Sequence, residues 1–125
     1  MDIQRAIEHL SAGDFDFIDL GGGAGGSTAH CSRRFSAARS LGIEIDAVEA
    51  NAARSAGYVV AQADVALTTV PDRCVRFVSA MDFLEHLPDA ETSCDVLERF
   101  ADAARDFVFI RHPSFEDIDY LAGLG

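Results

Sequence analysis

The chain has 125 residues, of which 49% are hydrophobic, so we expect one folded domain over residues 1–125 rather than a disordered chain. Its 21 acidic and 10 basic residues give a formal net charge of −11, which disfavours nucleic acids and anionic membranes as partners because phosphate groups attract cations. The sequence shows neither an apolar run long enough to cross a membrane nor a secretory-signal pattern, and we therefore expect a cytoplasmic protein.

Apolar segments of strand length alternate with amphipathic segments of helix length along the chain. The patterns predict helices over 2–10, 27–39, 47–55, 90–104 and 114–122, and strands over 15–20, 41–45, 58–61, 75–80 and 107–110. This alternation predicts an α/β fold, Rossmann-like and doubly wound, with a mainly parallel sheet and helices on both faces. Ligands of such sheets bind at the carboxyl ends of the strands.

The three cysteines, Cys31, Cys74 and Cys94, are widely spaced and contain no CxxC pair, which predicts free thiols. Cys31 lies near the start of a predicted helix, where the helix dipole lowers the pKa of a thiol.

A glycine cluster follows the first predicted strand, and residues 17–27 read FIDLGGGAGGS. Gly21, Gly23 and Gly26 fit the GxGxxG pattern of dinucleotide sites, whereas Gly21, Gly23 and Gly25 fit the GxGxG pattern typical of S-adenosylmethionine sites. Glycines at a strand end allow a tight turn and close approach of a ligand. The cluster alone leaves both cofactors open.

Asp19 stands two residues before the first glycine and separates these alternatives. A pyrophosphate is anionic and would be repelled by this acid, whereas S-adenosylmethionine carries a cationic amino group and a sulfonium. We predict that Asp19 attracts the amino group directly or through water. The alternative is that Asp19 caps a turn or pairs with an arginine.

Two further acids follow predicted strands. Glu44, at the end of the second strand, can accept hydrogen bonds from both hydroxyls of a ribose, a role that fits either cofactor, and Asp46 is a competing candidate. Asp64 follows the third strand, where its carboxylate can accept from an adenine amino group while the Val65 N–H donates to a ring nitrogen.

Four segments together carry a family resemblance: the glycine cluster, GIEID over 42–46, ADV over 63–65 and FLEHLPD over 83–89. In this order they resemble the class I S-adenosylmethionine-dependent methyltransferases, and the last segment resembles the small-molecule branch. The resemblance covers about residues 15–110 and implies the usual class I strand order. The cofactor-binding residues that it implies are Asp19, Gly21, Gly22, Gly23, Gly25, Glu44, Ile45, Asp64, Val65 and Met81.

The implied reaction is methyl transfer from S-adenosylmethionine to a small-molecule acceptor by in-line displacement, with no metal ion. An acceptor that arrives protonated needs a general base. His86 is the first candidate for this base, followed by Asp82 and His112. The alternative role for His86 is packing against the following helix or capping it.

The family's complete domain continues past the fifth strand into a helix and an antiparallel hairpin, so this chain is expected to be truncated at its C-terminus. Two other functions stay open at this point. One is an NAD(P)-binding domain of an oxidoreductase, which the GxGxxG spacing favours. The other is a non-catalytic relic that binds the cofactor or nothing, which the short chain favours.

Overall fold

The structure, a computed structural model, describes residues 1–111; His112 and the helix predicted over 114–122 lie outside them. The helices are α1 (Ile3–Ser11), α2 (Gly26–Arg34), α3 (Ala47–Ser55) and α4 (Ala90–Ala103). The strands are β1 (Phe17–Leu20), β2 (Ser40–Glu44), β3 (Val60–Gln62), β4 (Val75–Met81) and β5 (Ala104–Arg111). Two short 3-10 turns, Val65–Leu67 and Leu84–His86, follow β3 and β4.

The five strands form one sheet in the order β3-β2-β1-β4-β5, and every pair of neighbours is parallel. The order reverses beside β1, so the loops after β1 and β4 diverge there and leave a crevice at the carboxyl edge. The predicted α/β, mainly parallel, doubly wound sheet with the class I order is confirmed.

Alternation along the strands sends side chains to two apolar layers. On one side, Ile18, Val78 and Ile110 cluster with Leu10 of α1 and Phe100 of α4. These five side chains are at most 1% exposed. The layer anchors both helices against the central strands.

The opposite layer is aromatic. The rings of Phe17 and Phe77 stack at 4.6 Å between centroids, and Phe77 stacks on Phe107 at 4.9 Å. Cys31 of α2 and Met81 belong to the same cluster. Stacked rings of this kind fix the spacing of β1, β4 and β5 beneath the site described below.

The helix predicted over 27–39 is too long, because α2 ends at Arg34. Ser36 has a φ of 51°, which takes the chain out of the helix. The Asp16 carboxylate then accepts from the backbone N–H of Arg39 at 2.9 Å and from its guanidinium at 2.9 Å, which leads the chain directly into β2.

Strand β5 begins at Ala104, earlier than predicted, and β3 begins at Val60, later than predicted. Ala104, predicted as the last residue of the helix over 90–104, is instead the first residue of β5; Ala103 is the buried last residue of α4.

Candidate functional site

The glycine loop between β1 and α2 rests on a buried carboxylate. Asp19 is 0% exposed, and its Oδ2 accepts hydrogen bonds from Ser27 Oγ at 2.6 Å and Thr28 Oγ1 at 2.7 Å. Its Oδ1 accepts from Ser79 Oγ at 2.8 Å, because the register of β1 and β4 places these two residues opposite each other. One side chain therefore holds the end of β1, the first turn of α2 and β4 together.

Burial raises the pKa of Asp19, because the charged carboxylate loses hydration that the three hydroxyl donors restore only in part. The carboxylate lies directly beneath the loop: a Cβ at Gly22 would come within 2.7 Å of Asp19 Oδ2. Asp19 therefore faces its hydroxyl partners and makes no direct approach to the crevice. Its contacts favour the alternative of a turn-organising acid, and its contact with a cofactor stays a prediction.

Glu44 joins the glycine loop to the loop after β2. Its Oε1 accepts from the backbone N–H of Gly23 at 3.0 Å, and its Oε2 accepts from that of Asp46 at 2.9 Å. Each carboxylate oxygen has a further lone pair, so these bonds leave acceptor capacity for a ligand. Asp46, the competing candidate, caps α3 by accepting from Val48 and Glu49 N–H groups.

Asp64 opens the 3-10 turn after β3. Its Oδ1 accepts from the Ala66 N–H at 2.9 Å, and its backbone carbonyl accepts from Thr68 Oγ1 at 2.7 Å. The turn therefore presents the Asp64 carboxylate and the Val65 backbone at the same carboxyl edge as Glu44.

These loops surround a cavity that is open to solvent and has a volume of about 450 Å³, which is within the range of small-molecule binding sites. It is lined by Gly21, Ile43, Glu44, Ile45, Ala63, Asp64, Val65, Ala66, Asp82, Phe83, His86, Leu87 and Pro88. Three of these are carboxylates, and none is an arginine. A donor-rich cation fits such a lining, since S-adenosylmethionine offers hydroxyl, amino and ammonium donors; a pyrophosphate meets no cationic partner among the described lining residues.

The first glycine of the cluster is covered by an aromatic ring. Gly21 has a φ of +63°, and a Cβ there would lie 2.2 Å from Cδ1 of Phe83. Phe83 precedes the second 3-10 turn, so the segment after β4 packs directly onto the glycine loop. Only glycine satisfies both the backbone angle and this contact.

The remaining predicted residues are placed as follows. Gly25 is the N-cap of α2 with a φ of 110°, and a Cβ there would meet the Tyr58 ring at 2.6 Å. Ile45 is 62% exposed at the cavity rim. Met81 ends β4, but its Sδ lies 3.6 Å from Cys31 Sγ, and the side chain packs in the aromatic layer instead of lining the cavity. Its contact with the cofactor stays a prediction.

His86 lines the cavity with a side chain that is 74% exposed, and its Nε2 lies 3.5 Å from Glu85 Oε1.

The thiol of Cys31 does not have the lowered pKa that its position near a helix start suggests. Burial raises the pKa of its thiol to about 11, so the expected lowering is wrong. All three cysteines are free thiols, as predicted.

Four residues that build the site were not predicted from the sequence: Ser27, Thr28, Ser79 and Phe83. Two hydroxyls directly after a glycine cluster at a helix start were a usable signal. The contacts that Ser79 and Phe83 make carry no local signal, because they depend on the pairing of β4 with β1 and on the fold of the loop that follows.

Residues 18–103 match the family model described as a methyltransferase domain. The chain belongs to the methyltransferase domain family. The match spans β1 to the end of α4 and so includes every cavity-lining residue. The predicted methyltransferase family is confirmed. No curated protein sequence matches the chain significantly.

Solved structures share the fold. A sugar N-methyltransferase from Streptoalloteichus is 18% identical, with a TM-score of 0.62 over 90% of this chain and 48% of that one. An S-adenosylmethionine-dependent methyltransferase from Archaeoglobus fulgidus is 23% identical, with a TM-score of 0.63 over 86% and 48%. Magnesium protoporphyrin IX methyltransferase from Synechocystis, solved with bound S-adenosylmethionine, is 16% identical, with a TM-score of 0.63 over 86% and 55%. This chain spans about half the length of these structures.

No helix within residues 1–111 is long and apolar enough to cross a membrane. The same residues contain no group of three or more His, Cys, Asp or Glu side chains arranged to hold a metal ion.

Gly21→Ala is expected to destabilise the fold by about 1–2 kcal/mol or more, because alanine is strained at this φ and its methyl would displace Phe83. The matched control is Gly26→Ala, at the start of α2, where a Cβ meets nothing within 4 Å and helix propensity favours alanine. Urea unfolding of both variants measures the difference. Equal stability of the two variants would show that the packing of Phe83 on Gly21 is not present in solution.

Asp19→Asn tests the buried carboxylate through pH. Because the folded-state pKa of Asp19 is raised, its contribution to stability is full below its ordinary value of 3.8 and is lost as the pH rises through the folded-state pKa. The unfolding free energy of the wild type minus that of the variant should therefore fall from acid to neutral pH. Urea titrations at a series of pH values measure it, and a difference that grows with pH would contradict the assignment.

Proposed function

We propose that this chain binds S-adenosylmethionine in the cavity at the carboxyl edge of the sheet and transfers its methyl group to a small-molecule acceptor. The observation that carries the proposal is the cavity lining, in which Glu44, Asp64 and Asp82 supply acceptors beside a glycine loop. When bound, the cofactor supplies a methyl group on a positively charged sulfur, which is already activated for in-line displacement.

In this proposal, different hydrogen-bonding groups of the chain bind the ribose, the adenine and the methionine part of the cofactor. Glu44 accepts from the ribose hydroxyls with the lone pairs that Gly23 and Asp46 leave available, and Ile45 packs beside them. Asp64 accepts from the adenine amino group, and the Val65 N–H donates to the ring. The backbone of Gly21, Gly22, Gly23 and Gly25 holds the methionine part, and Asp19 supports that backbone from below.

The protein's task in the chemical step is alignment and exclusion of water. Phe83, Leu87 and Pro88, in the segment after β4, form an apolar part of the cavity wall and would shield the reacting groups from water. His86 stands on the same wall and is the candidate base for an acceptor that arrives protonated, with Asp82 as the neighbouring alternative. An acceptor that arrives already deprotonated needs no such base.

A small acceptor is favoured over nucleic acid by the net charge of −11 and by the acidic cavity. Two structural neighbours are named for small molecules, a sugar and magnesium protoporphyrin IX. We further propose that residues 1–125 form one cofactor-binding domain of a cytoplasmic protein, and that the neighbours' acceptor-selecting elements lie in the half of their chains that this one does not span.

Calorimetry with S-adenosylhomocysteine and NAD tests the cofactor assignment. The chain should bind S-adenosylhomocysteine, and Glu44→Gln should weaken that binding about 10- to 100-fold, since a hydrogen bond to a charged group is lost. Glu98→Gln on the exposed face of α4 removes the same charge and should leave the affinity unchanged. Radiolabel from the cofactor's methyl group should then appear in small molecules of a cell extract and not in DNA.

Binding of NAD in place of S-adenosylhomocysteine would contradict the proposal and would favour an NAD(P)-binding domain of an oxidoreductase. Binding of S-adenosylhomocysteine with no methyl transfer to any fraction would leave the cofactor-binding relic as the better description.

A further inference from the structure

One wall of the cavity is a short turn with little structure of its own. Ala63, Asp64, Val65 and Ala66 line the cavity, and the 3-10 turn Val65–Leu67 contains only three residues. A turn of this length is not stable in isolation. Leu67 is 84% exposed, so of the turn's side chains only Val65, which is 4% exposed, anchors it firmly in the core.

Arg99 holds this turn from outside the cavity. Its Nη2 donates to the carbonyl oxygen of Ala66 at 2.9 Å and to that of Val65 at 3.5 Å, and its Nη1 donates to the carbonyl of Thr68. These three contacts converge on carbonyl groups of the turn and of its C-cap residue, Thr68, and carbonyl groups at the end of a helical turn attract a cation. The Val65 carbonyl also accepts from the Thr68 N–H at 3.2 Å, so Arg99 reinforces the turn's own hydrogen bond.

The guanidinium is itself held in place. Its Nε donates to Asp95 Oδ2 at 3.1 Å, one helical turn earlier on α4, and the side chain is only 25% exposed. A planar fork aligned in this way can serve several carbonyls at once, which a lysine ammonium on a flexible stem does less well. Arg99 does not line the cavity, so any effect on a ligand passes through the backbone of residues 64–66.

We propose that Arg99 is a positioning residue that sets the cavity's preference for adenine over other bases, by fixing the Asp64 carboxylate and the Val65 N–H at the base-binding wall. The inference rests on the proposed function, since it assumes that an adenosine moiety occupies this wall. It concerns selectivity as well as affinity, because a displaced carboxylate loses its discrimination between an amino group and a carbonyl at the same position of the base.

The test compares S-adenosylhomocysteine with S-inosylhomocysteine, in which a carbonyl replaces the exocyclic amino group. The wild type should prefer the adenine compound. Arg99→Gln should lower the affinity for S-adenosylhomocysteine about tenfold, as expected for loss of charged hydrogen bonds, and should reduce the preference over the inosine compound. Arg105→Gln is the matched control, because Arg105 loses the same charge and one carbonyl contact, to Arg73, away from the cavity.

The ratio of the two affinities separates positioning from general stability. A destabilised protein binds both compounds less well by the same factor, so its ratio does not change. An Arg99→Gln protein that is folded by circular dichroism and keeps the wild-type ratio overturns the inference while leaving the proposed function intact. If that variant does not fold, Arg99→Lys is measured instead, and the wild-type ratio in that protein overturns the inference equally. Failure of the wild type to bind either compound contradicts the proposed function and this inference together.

Discussion

The site depends first on one buried carboxylate, Asp19, and the three hydroxyls that donate to it. An acid without exposure costs free energy in its charged form, and Ser27, Thr28 and Ser79 offset part of that cost. In return the carboxylate fixes α2 and β4 relative to β1, which determines where the glycine loop runs. The loop lies so close above it that Gly22 has no room for a side chain. A backbone held this firmly before a ligand arrives lowers the entropic cost of binding.

Above the buried Asp19, the cavity carries three acidic side chains. Glu44 bridges two loops by accepting from the N–H groups of Gly23 and Asp46. Asp64 opens the turn after β3, and Asp82 directly follows β4; both line the cavity. Each carboxylate is placed by the end of a different parallel strand. Such a surface attracts a cation bearing hydroxyl and amino donors, and it repels a diphosphate. In the proposed function, the same glycine spacing therefore serves a different cofactor from that of the dinucleotide-binding folds.

Most of the fold followed from local pattern, because short apolar strands and amphipathic helices differ clearly in period. Helix α3 was placed at its observed bounds, since Asp46 is a strong N-cap and Gly57 follows its end. The end of α2 was missed, because Ser36 leaves the helix at a positive φ that its type does not predict. Glu44 and Asp64 were found as strand-end acids. The burial of Asp19, the core position of Met81 and the packing of Phe83 depend on strand pairing and loop folding, which no local window contains.

The proposed function requires that a ligand carrying an adenosine and an amino-acid part binds across the glycine loop and the turn after β3. A titration of the ¹⁵N-labelled chain with S-adenosylhomocysteine, followed by amide NMR, detects this binding residue by residue. This binding mode predicts that the amide signals of Gly23, Asp46 and Val65 shift together with one affinity, while those at the opposite edge of the sheet, such as Arg39 and Arg76, do not move. Shifts confined to residues outside the cavity, or none at saturating ligand, would contradict it.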